Sequence, residues 1–235
     1  MYPSVGERVY LDLAEQLMIK TMARYDCSHD EYHVRRVRKT ALNIAKALPS
    51  QVDLLTVELA AFLHDILDKK YVTPEEAADP YSFFLPLFQD AATKSDVDIV
   101  KDGRARQIAL IVDNVSWSTE KKLRASGEWG KWHNESLELH CVQDADRLDA
   151  IGAFGILRCA AYSASQNQPL HTPHDDVAAS SSAVQHFSDK LIHIRGRLKT
   201  EPGKQLAAKR HQLLLDFMQS LEEEYHSATP EYSPN

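Results

Sequence analysis

Apolar side chains recur every three or four residues along most of the chain. The first stretches with this spacing contain Leu13, Leu17, Ile19 and Met22, followed by Val34, Val37, Ala41, Ile44 and Leu48. Such intervals place apolar side chains on one face of an α-helix, whereas the strict alternation typical of β-strands is hard to find. The pattern therefore predicts an all-α protein.

Polar residues and prolines divide this pattern into separate helices. Ser28 and Glu31 have the spacing of a capping box, at the start of a helix that carries His33 in its second turn and ends near Pro49. The next helix is expected at residues 52–67. Further helices are predicted at about 104–115, 135–164, 177–198 and 203–225, before a frayed tail at 226–235. No boundary divides residues 1–225, so we expect a single domain.

Two stretches between these helices lack a clear helical pattern. Residues 70–103 are polar and contain several prolines, which is typical of short helices that flank a site. Residues 117–134 hold all three tryptophans. A surface loop pinned by Trp129 and Trp132 is favoured there over a substrate lid.

Composition limits the classes of function. A chain of 235 residues is long enough to fold without disulfides or a structural metal. Cys27, Cys141 and Cys159 are odd in number and widely spaced, which indicates thiols in a reducing compartment. The net charge of −7 disfavours a nucleic acid polymer but not a small anionic substrate. No apolar run is long enough to span a membrane, and the N-terminus lacks a signal-peptide pattern. We therefore expect a cytoplasmic protein without a membrane partner.

Three separated fragments carry the candidate chemistry. They are H-V-R-R-V with His33, L-H-D-I-L-D with the pair His64 and Asp65, and Q-D-A-D-R-L-D-A with Asp144 and Asp146. Imidazoles and carboxylates together form a ligand set that suits a divalent ion such as Mn²⁺, Fe²⁺, Co²⁺, Ni²⁺ or Mg²⁺. Carboxylates among apolar residues are costly to bury unless they are paired or bound to metal. Periodicity does not choose between Asp144 and Asp146.

The fragments resemble the HD-domain metal-dependent phosphohydrolases, in which a His, a His-Asp pair and a distant Asp lie on helices. More narrowly, the chain is similar to small stand-alone HD proteins described as nucleotide pyrophosphohydrolases. The resemblance is carried by D-C-S-H-D-E-Y-H-V-R-R-V at 26–37, L-H-D-I-L-D-K-K at 63–70, N-V-S-W-S at 114–118, V-Q-D-A-D-R-L-D-A-I-G-A-F-G at 142–155 and H-F-S-D-K-L at 186–191. It implies a single HD-domain helical bundle with one divalent ion between core helices. The implied ligands are His33, His64, Asp65 and Asp146, the last because A-D-R-L matches the family pattern.

The neighbouring side chains are candidates for catalysis and substrate binding. Asp68, four residues beyond His64 and so on the same helical face, is a candidate for orienting or deprotonating the attacking water. His29, one turn before His33, is a candidate proton donor or phosphate ligand; the alternative is an exposed histidine at the start of the helix. The candidates for binding phosphate are Arg36, Lys70, Arg147 and, from the resemblance, Lys190; the first three are equally compatible with structural ion pairs.

Hydrolysis of a nucleoside or deoxynucleoside triphosphate to monophosphate and pyrophosphate is the preferred interpretation of function. The alternatives are a nucleotide phosphomonoesterase, a dinuclear-iron oxygenase and a nucleotide-binding HD module without turnover. The oxygenase requires His133 and His140 as further ligands. Their spacing places both on one helical face, but the amphipathic sequence around them also fits exposed rings, so we expect one metal ion.

Overall fold

The computed structural model describes residues 2–68, 71–173 and 176–227, and these ranges contain α-helices and 3-10 segments but no strand. The prediction of an all-α protein is confirmed. The helices are α1 (Val5–Met22), α2 (Glu31–Ala47), α3 (Leu54–Leu63), α4 (Pro80–Thr93), α5 (Arg104–Asn114), α6 (Trp117–Ser126), α7 (Lys131–Glu135), α8 (Leu137–Asp149), α9 (Gly152–Ser165), α10 (Ala183–Asp189) and α11 (Glu201–Ser227). The 3-10 segments are Ala179–Ser181 and Leu191–Arg197.

Helix α3 lies at the centre of the bundle. Nine of its ten residues are buried, and α1, α2, α5 and α8 pack around it. A helix that is apolar on nearly all sides is stable only inside a core. Its buried Glu58 is compensated by an ion pair with Arg38 and a hydrogen bond from Tyr2. The helix ends at Leu63 and therefore delivers the next residues, His64 and Asp65, to a place enclosed by other helices.

Helices α2 and α8 pack closely against each other and against α3. The start of α2 differs from the expected capping box. Asp30, not Ser28, is the N-cap, and its carboxylate accepts a hydrogen bond from the backbone N–H of His33 at 2.8 Å. Ser28 instead donates to Asp26. His33 thus lies in the first turn of α2 rather than in the second.

Two long predicted helices are divided in the structure. The stretch 135–164 is divided into α8 and α9, with Glu135 at the end of α7, and Gly152 at the start of α9 has a φ of 76°. A Cβ at this glycine would lie 3.0 Å from the side chain of Arg210, so both the backbone and the packing favour glycine. The stretch 177–198 consists of α10 between two 3-10 segments.

The tryptophan-rich segment was wrongly predicted as a loop, since most of it forms α6 and α7. In the described part of the polar passage, residues 71–103, one helix forms, α4, in place of several short ones. The last helix continues through Ser227, two residues into the expected tail, and residues 228–235 lie outside the described residues. No helix in the described ranges has both the length and the apolar character needed to cross a membrane.

Candidate metal centre and active-site cavity

His33 is buried at the start of α2 and has different surroundings at its two ring nitrogens. Its Nδ1 lies 2.7 Å from Oδ2 of Asp149, the last residue of α8. Its Nε2 is buried without a hydrogen-bond partner and lies 3.2 Å from Oδ2 of Asp65. Because Nδ1–H donates to a carboxylate, the Nε2 lone pair is directed at the other predicted ligands.

His64 has a matching arrangement at the end of α3. Its Nδ1 lies 2.8 Å from the carbonyl oxygen of Ala61, one turn earlier, and its Nε2 is buried without a hydrogen-bond partner. Oδ2 of Asp65 lies 3.4 Å from this Nε2. Two orphaned imidazole nitrogens, one in α2 and one directly after α3, are therefore directed at the same carboxylate.

Asp146, and not Asp144, completes the cluster. Its Oδ1 lies 3.7 Å from Nε2 of His33 and 4.0 Å from Nε2 of His64. Asp144 points elsewhere: it is fully buried and accepts hydrogen bonds from the backbone N–H groups of Lys199 and Thr200 and from the Thr200 hydroxyl, just before α11. The choice that periodicity left open is therefore decided by packing.

The cluster fits a divalent ion. Ligand atoms of His33, His64 and Asp146 all lie within 4.8 Å of one another, and the Asp65 carboxylate contacts both imidazoles. Neighbouring ligands of one octahedral ion with bonds of about 2.1 Å are about 3 Å apart, which is close to these separations. Two buried nitrogens without donors and two carboxylates form a donor set that a cation would satisfy.

The electrostatics of the cluster also favour a cation. Burial by itself lowers the pKa of His64, but the carboxylates of Asp65 and Asp146 together with the carbonyl of Ala61 outweigh burial and raise this pKa to about 9. Burial raises the pKa of Asp65, but the imidazoles of His64 and His33 outweigh it and hold that pKa well below its ordinary value. The carboxylates thus create a negative potential, which attracts a proton or a metal ion to the imidazoles.

The carboxylate of Asp149 contacts His33 of the candidate metal centre and also two arginines. Arg36 donates to this carboxylate through Nε at 2.8 Å and Nη2 at 3.0 Å, and Nη1 of Arg158 lies 3.4 Å from Oδ2. Burial opposes ionisation, but His33 and these cations lower the pKa of Asp149, so the group stays ionised. Neither Asp149 nor Arg158 was predicted from the sequence as a site residue. The only signal in the sequence was the third carboxylate of D-A-D-R-L-D, one turn beyond Asp146.

A cavity of about 540 Å³ opens beside the cluster, large enough for a small organic ligand. His64, Asp65 and Asp146 form part of its wall. Its charged and polar lining also includes the cations Lys122, Arg147, Arg158, Lys190 and Arg197, together with His29, Asp68 and Asp113. Of these, only His29, Asp68, Arg147 and Lys190 were predicted from the sequence. The first turn of α6, with Trp117, forms another part of the wall. The cavity therefore combines a metal-binding wall with cationic walls.

Asp68 and His29 both line this cavity, but Asp68 reaches it by a route that differs from the prediction. Because α3 ends before His64, Asp68 does not share a helical face with that residue. Its backbone N–H donates to the carbonyl oxygen of Asp65 at 3.2 Å, in a turn that follows the helix. The turn, rather than helical periodicity, brings Asp68 beside the metal ligands.

The four predicted phosphate-binding residues have different surroundings. Lys190 and Arg147 line the cavity, whereas Arg36 does not and instead pairs with Asp149 beneath the ring of Phe154. The contacts of Arg36 therefore support the alternative of a structural ion pair. Lys70 lies outside the described residues.

Arg147 is held in place by Glu120 of α6, with Nη2 and Oε2 2.6 Å apart. Lys199 and Arg124 pair with the same buried carboxylate. Burial opposes ionisation, but these cations lower the pKa of Glu120 to about 2. The guanidinium of Arg197 stacks on Trp117 at 4.1 Å. Glu120 thus fixes the wall of the cavity that carries Arg147.

His133 and His140 take part in a hydrogen-bonded network away from the three-ligand group. The Gly130 N–H donates to Nδ1 of His133, whose Nε2 lies 3.1 Å from Oδ1 of Asn114. Nε2 of His140 lies 2.8 Å from the carbonyl oxygen of His133. His140 is 9% exposed, so the expected exposed ring is wrong for that residue. Within the described ranges, no second group of three ligands meets the spacing of the first.

Comparisons with known proteins agree with this geometry. The model of the HD domain family matches residues 31–151, a range that contains all four predicted metal ligands. The chain is 31% identical to the uncharacterized protein YpgQ of Bacillus subtilis over 201 residues, which cover 83% of this chain and 84% of that protein.

Solved structures have the same fold. The crystal structure of YpgQ in complex with ADP matches with a TM-score of 0.63 and 25% identity, covering 90% of this chain and 97% of that one. A Lactobacillus plantarum protein matches with a TM-score of 0.72 and 26% identity, covering 93% and 97%. A Bacillus thuringiensis protein described as an HD-superfamily hydrolase matches with a TM-score of 0.64 and 23% identity, covering 94% and 98%. The chain belongs to the HD-domain family of metal-dependent phosphohydrolases.

Proposed function

We propose that the protein hydrolyses nucleoside or deoxynucleoside triphosphates to the monophosphate and pyrophosphate, with one divalent ion held by His33, His64, Asp65 and Asp146. The observation that carries this proposal is the cavity beside the cluster, in which cations lie next to the metal ligands. Phosphoryl transfer depends mainly on positioning and on neutralising phosphate charge. The crystal structure of YpgQ with ADP shows that a relative binds a nucleotide, which supports this class of substrate.

The cations of the cavity are suited to a chain of phosphates. Arg147 and Lys190 line it together with Arg158, Arg197 and Lys122. A triphosphate offers more negative charge to this wall than a monophosphate, so it gains more from each contact. Arg147 is held by Glu120 before substrate arrives, which reduces the entropy lost on binding.

Each proton transfer of the reaction is assigned to a residue of this chain. When bound, a divalent ion supplies Lewis acidity, which polarises the phosphoryl group and promotes ionisation of water. Asp68 accepts the proton of the water whose oxygen attacks the α-phosphorus. The bond from this phosphorus to the bridging oxygen breaks, and the electron pair leaves with pyrophosphate. His29 donates a proton to that leaving oxygen.

The test is a panel of nucleoside and deoxynucleoside mono-, di- and triphosphates, each incubated with protein loaded with Mn²⁺, Co²⁺, Ni²⁺, Fe²⁺ or Mg²⁺. We expect pyrophosphate from triphosphates, with the His64→Ala variant as the inactive control. Orthophosphate from monophosphates, with triphosphates untouched, would replace this proposal with a nucleotide phosphomonoesterase. Tight nucleotide binding with no product from any pair would indicate a binding module.

A further inference from the structure

A group of hydrogen-bonded side chains surrounds one nitrogen of His29. The Ser28 hydroxyl donates to Oδ1 of Asp26 at 2.5 Å, and its oxygen lies 2.6 Å from Nδ1 of His29. The Tyr71 hydroxyl donates to the other oxygen of Asp26 and lies 3.2 Å from the same Nδ1. Since both hydroxyl protons go to the carboxylate, the hydroxyl oxygens are acceptors towards His29. Nδ1 therefore carries a proton.

Ser28 and Tyr71, the two residues in contact with His29, are themselves held in place by other residues. Ser28 is 1% exposed, and its carbonyl oxygen accepts a hydrogen bond from Nε of Arg158 at 2.6 Å. Tyr71 stacks on Tyr25 with ring centres 3.9 Å apart, and the hydroxyl of Tyr25 donates to the carbonyl oxygen of Ile66, next to Asp65. His29 precedes α2, so these contacts and not a helix fix its ring against the metal ligands.

The arrangement determines which nitrogen of His29 serves a substrate. Nδ1 is engaged with Ser28 and Tyr71 while the ring lines the cavity, so Nε2 is the nitrogen that would reach a substrate. With Nδ1–H retained, the protonated ring has an Nε2–H to donate. Asp26 stabilises this positively charged form through the Ser28 hydroxyl, as a carboxylate does for a histidine in other catalytic relays.

We propose that Asp26, Ser28 and Tyr71 are positioning residues that hold His29 as the proton donor to the leaving group. The inference rests on the proposed function. As the bond between phosphorus and the leaving oxygen breaks, its electron pair stays on that oxygen, and the Nε2 proton moves to it. His29 becomes neutral, keeps its Nδ1–H, and regains the second proton from solvent.

Two esters of thymidine 5′-monophosphate test this role. Phenolate needs a proton to depart, whereas p-nitrophenolate, of similar shape, leaves readily without one. In Asp26→Asn, Ser28→Ala and Tyr71→Phe we expect kcat for the phenyl ester to fall by about 10- to 100-fold. For the p-nitrophenyl ester the fall should be less than about threefold, with KM changed little for either. Metal content and unfolding temperature are measured alongside.

Matched controls are Tyr32→Phe and Asp216→Asn, which remove the same groups from exposed positions. An equal loss for both esters, or no loss for either, would overturn the proposal, because a structural role does not depend on the leaving group. A second measurement is independent of turnover. In the Mg²⁺-loaded protein with ¹⁵N-labelled histidine, NMR should show Nδ1 of His29 protonated, and an unprotonated Nδ1 would overturn the proposal.

The proposed substrate and the proposed positioning role would be contradicted by different results. If triphosphates yield no pyrophosphate but the kcat losses for the two esters still differ as described, the proposed substrate is wrong and the positioning role stands. If pyrophosphate is released and the kcat losses for the two esters are equal, the proposed substrate stands and the positioning role is wrong.

Discussion

Oδ2 of Asp149 lies 2.7 Å from Nδ1 of His33, although 116 positions separate the two residues in the chain. This contact fixes the proton on Nδ1 and leaves the Nε2 lone pair for the metal centre. A carboxylate behind a ligating histidine orients the ring and raises its basicity. Asp149 also pairs with Arg36 and Arg158, so a single buried group joins the first turn of α2, the end of α8 and α9.

We expect Asp149→Asn to lower metal affinity by about 10- to 100-fold, because an amide orients the His33 ring less firmly. Competition with a chelator measures this affinity. Asp90→Asn, which removes a surface carboxylate paired with Lys94, is the control and should bind like the parent. Unchanged affinity in Asp149→Asn would mean that helix packing alone orients His33.

Removing a ligand should have a larger effect. His64→Ala and Asp65→Ala should abolish binding of the single divalent ion, since each deletes one of the groups that meet at the cluster. Metal analysis after dialysis measures the loss, and circular dichroism should show nearly unchanged helical content. Full metal occupancy in both variants would contradict the ligand assignment.

Asp68 lines the cavity but is not among the proposed ligands. If it accepts the proton of the attacking water, Asp68→Asn should reduce turnover by about 10²- to 10⁴-fold. Metal content should stay close to that of the parent, which separates this effect from loss of the ion. Activity within a few-fold of the parent would remove Asp68 from the mechanism.

Changing both His133 and His140 to Ala tests whether the protein binds one metal ion or two. Since both rings are hydrogen bonded within the protein, metal stoichiometry should stay at about one per chain. The free energy of unfolding should fall by about 1–3 kcal/mol, because partners such as Asn114 lose their hydrogen bonds. Loss of half the metal in this variant would instead support a dinuclear site.

Glu120 gives a prediction about pH. Its pKa is lowered from 4.5 to about 2 in the folded protein. A group with a depressed folded pKa stabilises the fold fully above its unfolded pKa and loses this contribution as pH falls through the folded value. The unfolding free energy should therefore decrease between about pH 4.5 and pH 2, and Glu120→Gln should show a shallower decrease. Parallel curves for parent and variant, from denaturant titrations, would contradict this role.

The sequence by itself determined the helical class and predicted the chemistry of the candidate metal ligands. Three- and four-residue apolar spacing is a local property of each helix, so it can be recognised in the sequence without knowing which other helices pack against it. The His, His-Asp and Asp fragments were recognisable because few other reasons place such groups among apolar residues.

Tertiary structure decided the features that depend on contacts between distant segments. Asp144 and Asp146 look alike along the helix, and only the backbone before α11 distinguishes the buried acceptor from the ligand candidate. The same holds for Asp149, Arg36 and the shell around His29, whose partners lie far away in sequence or in irregular turns. Helix ends at Leu63 and Gly152 were also set by packing, since local periodicity does not contain the position of neighbouring helices.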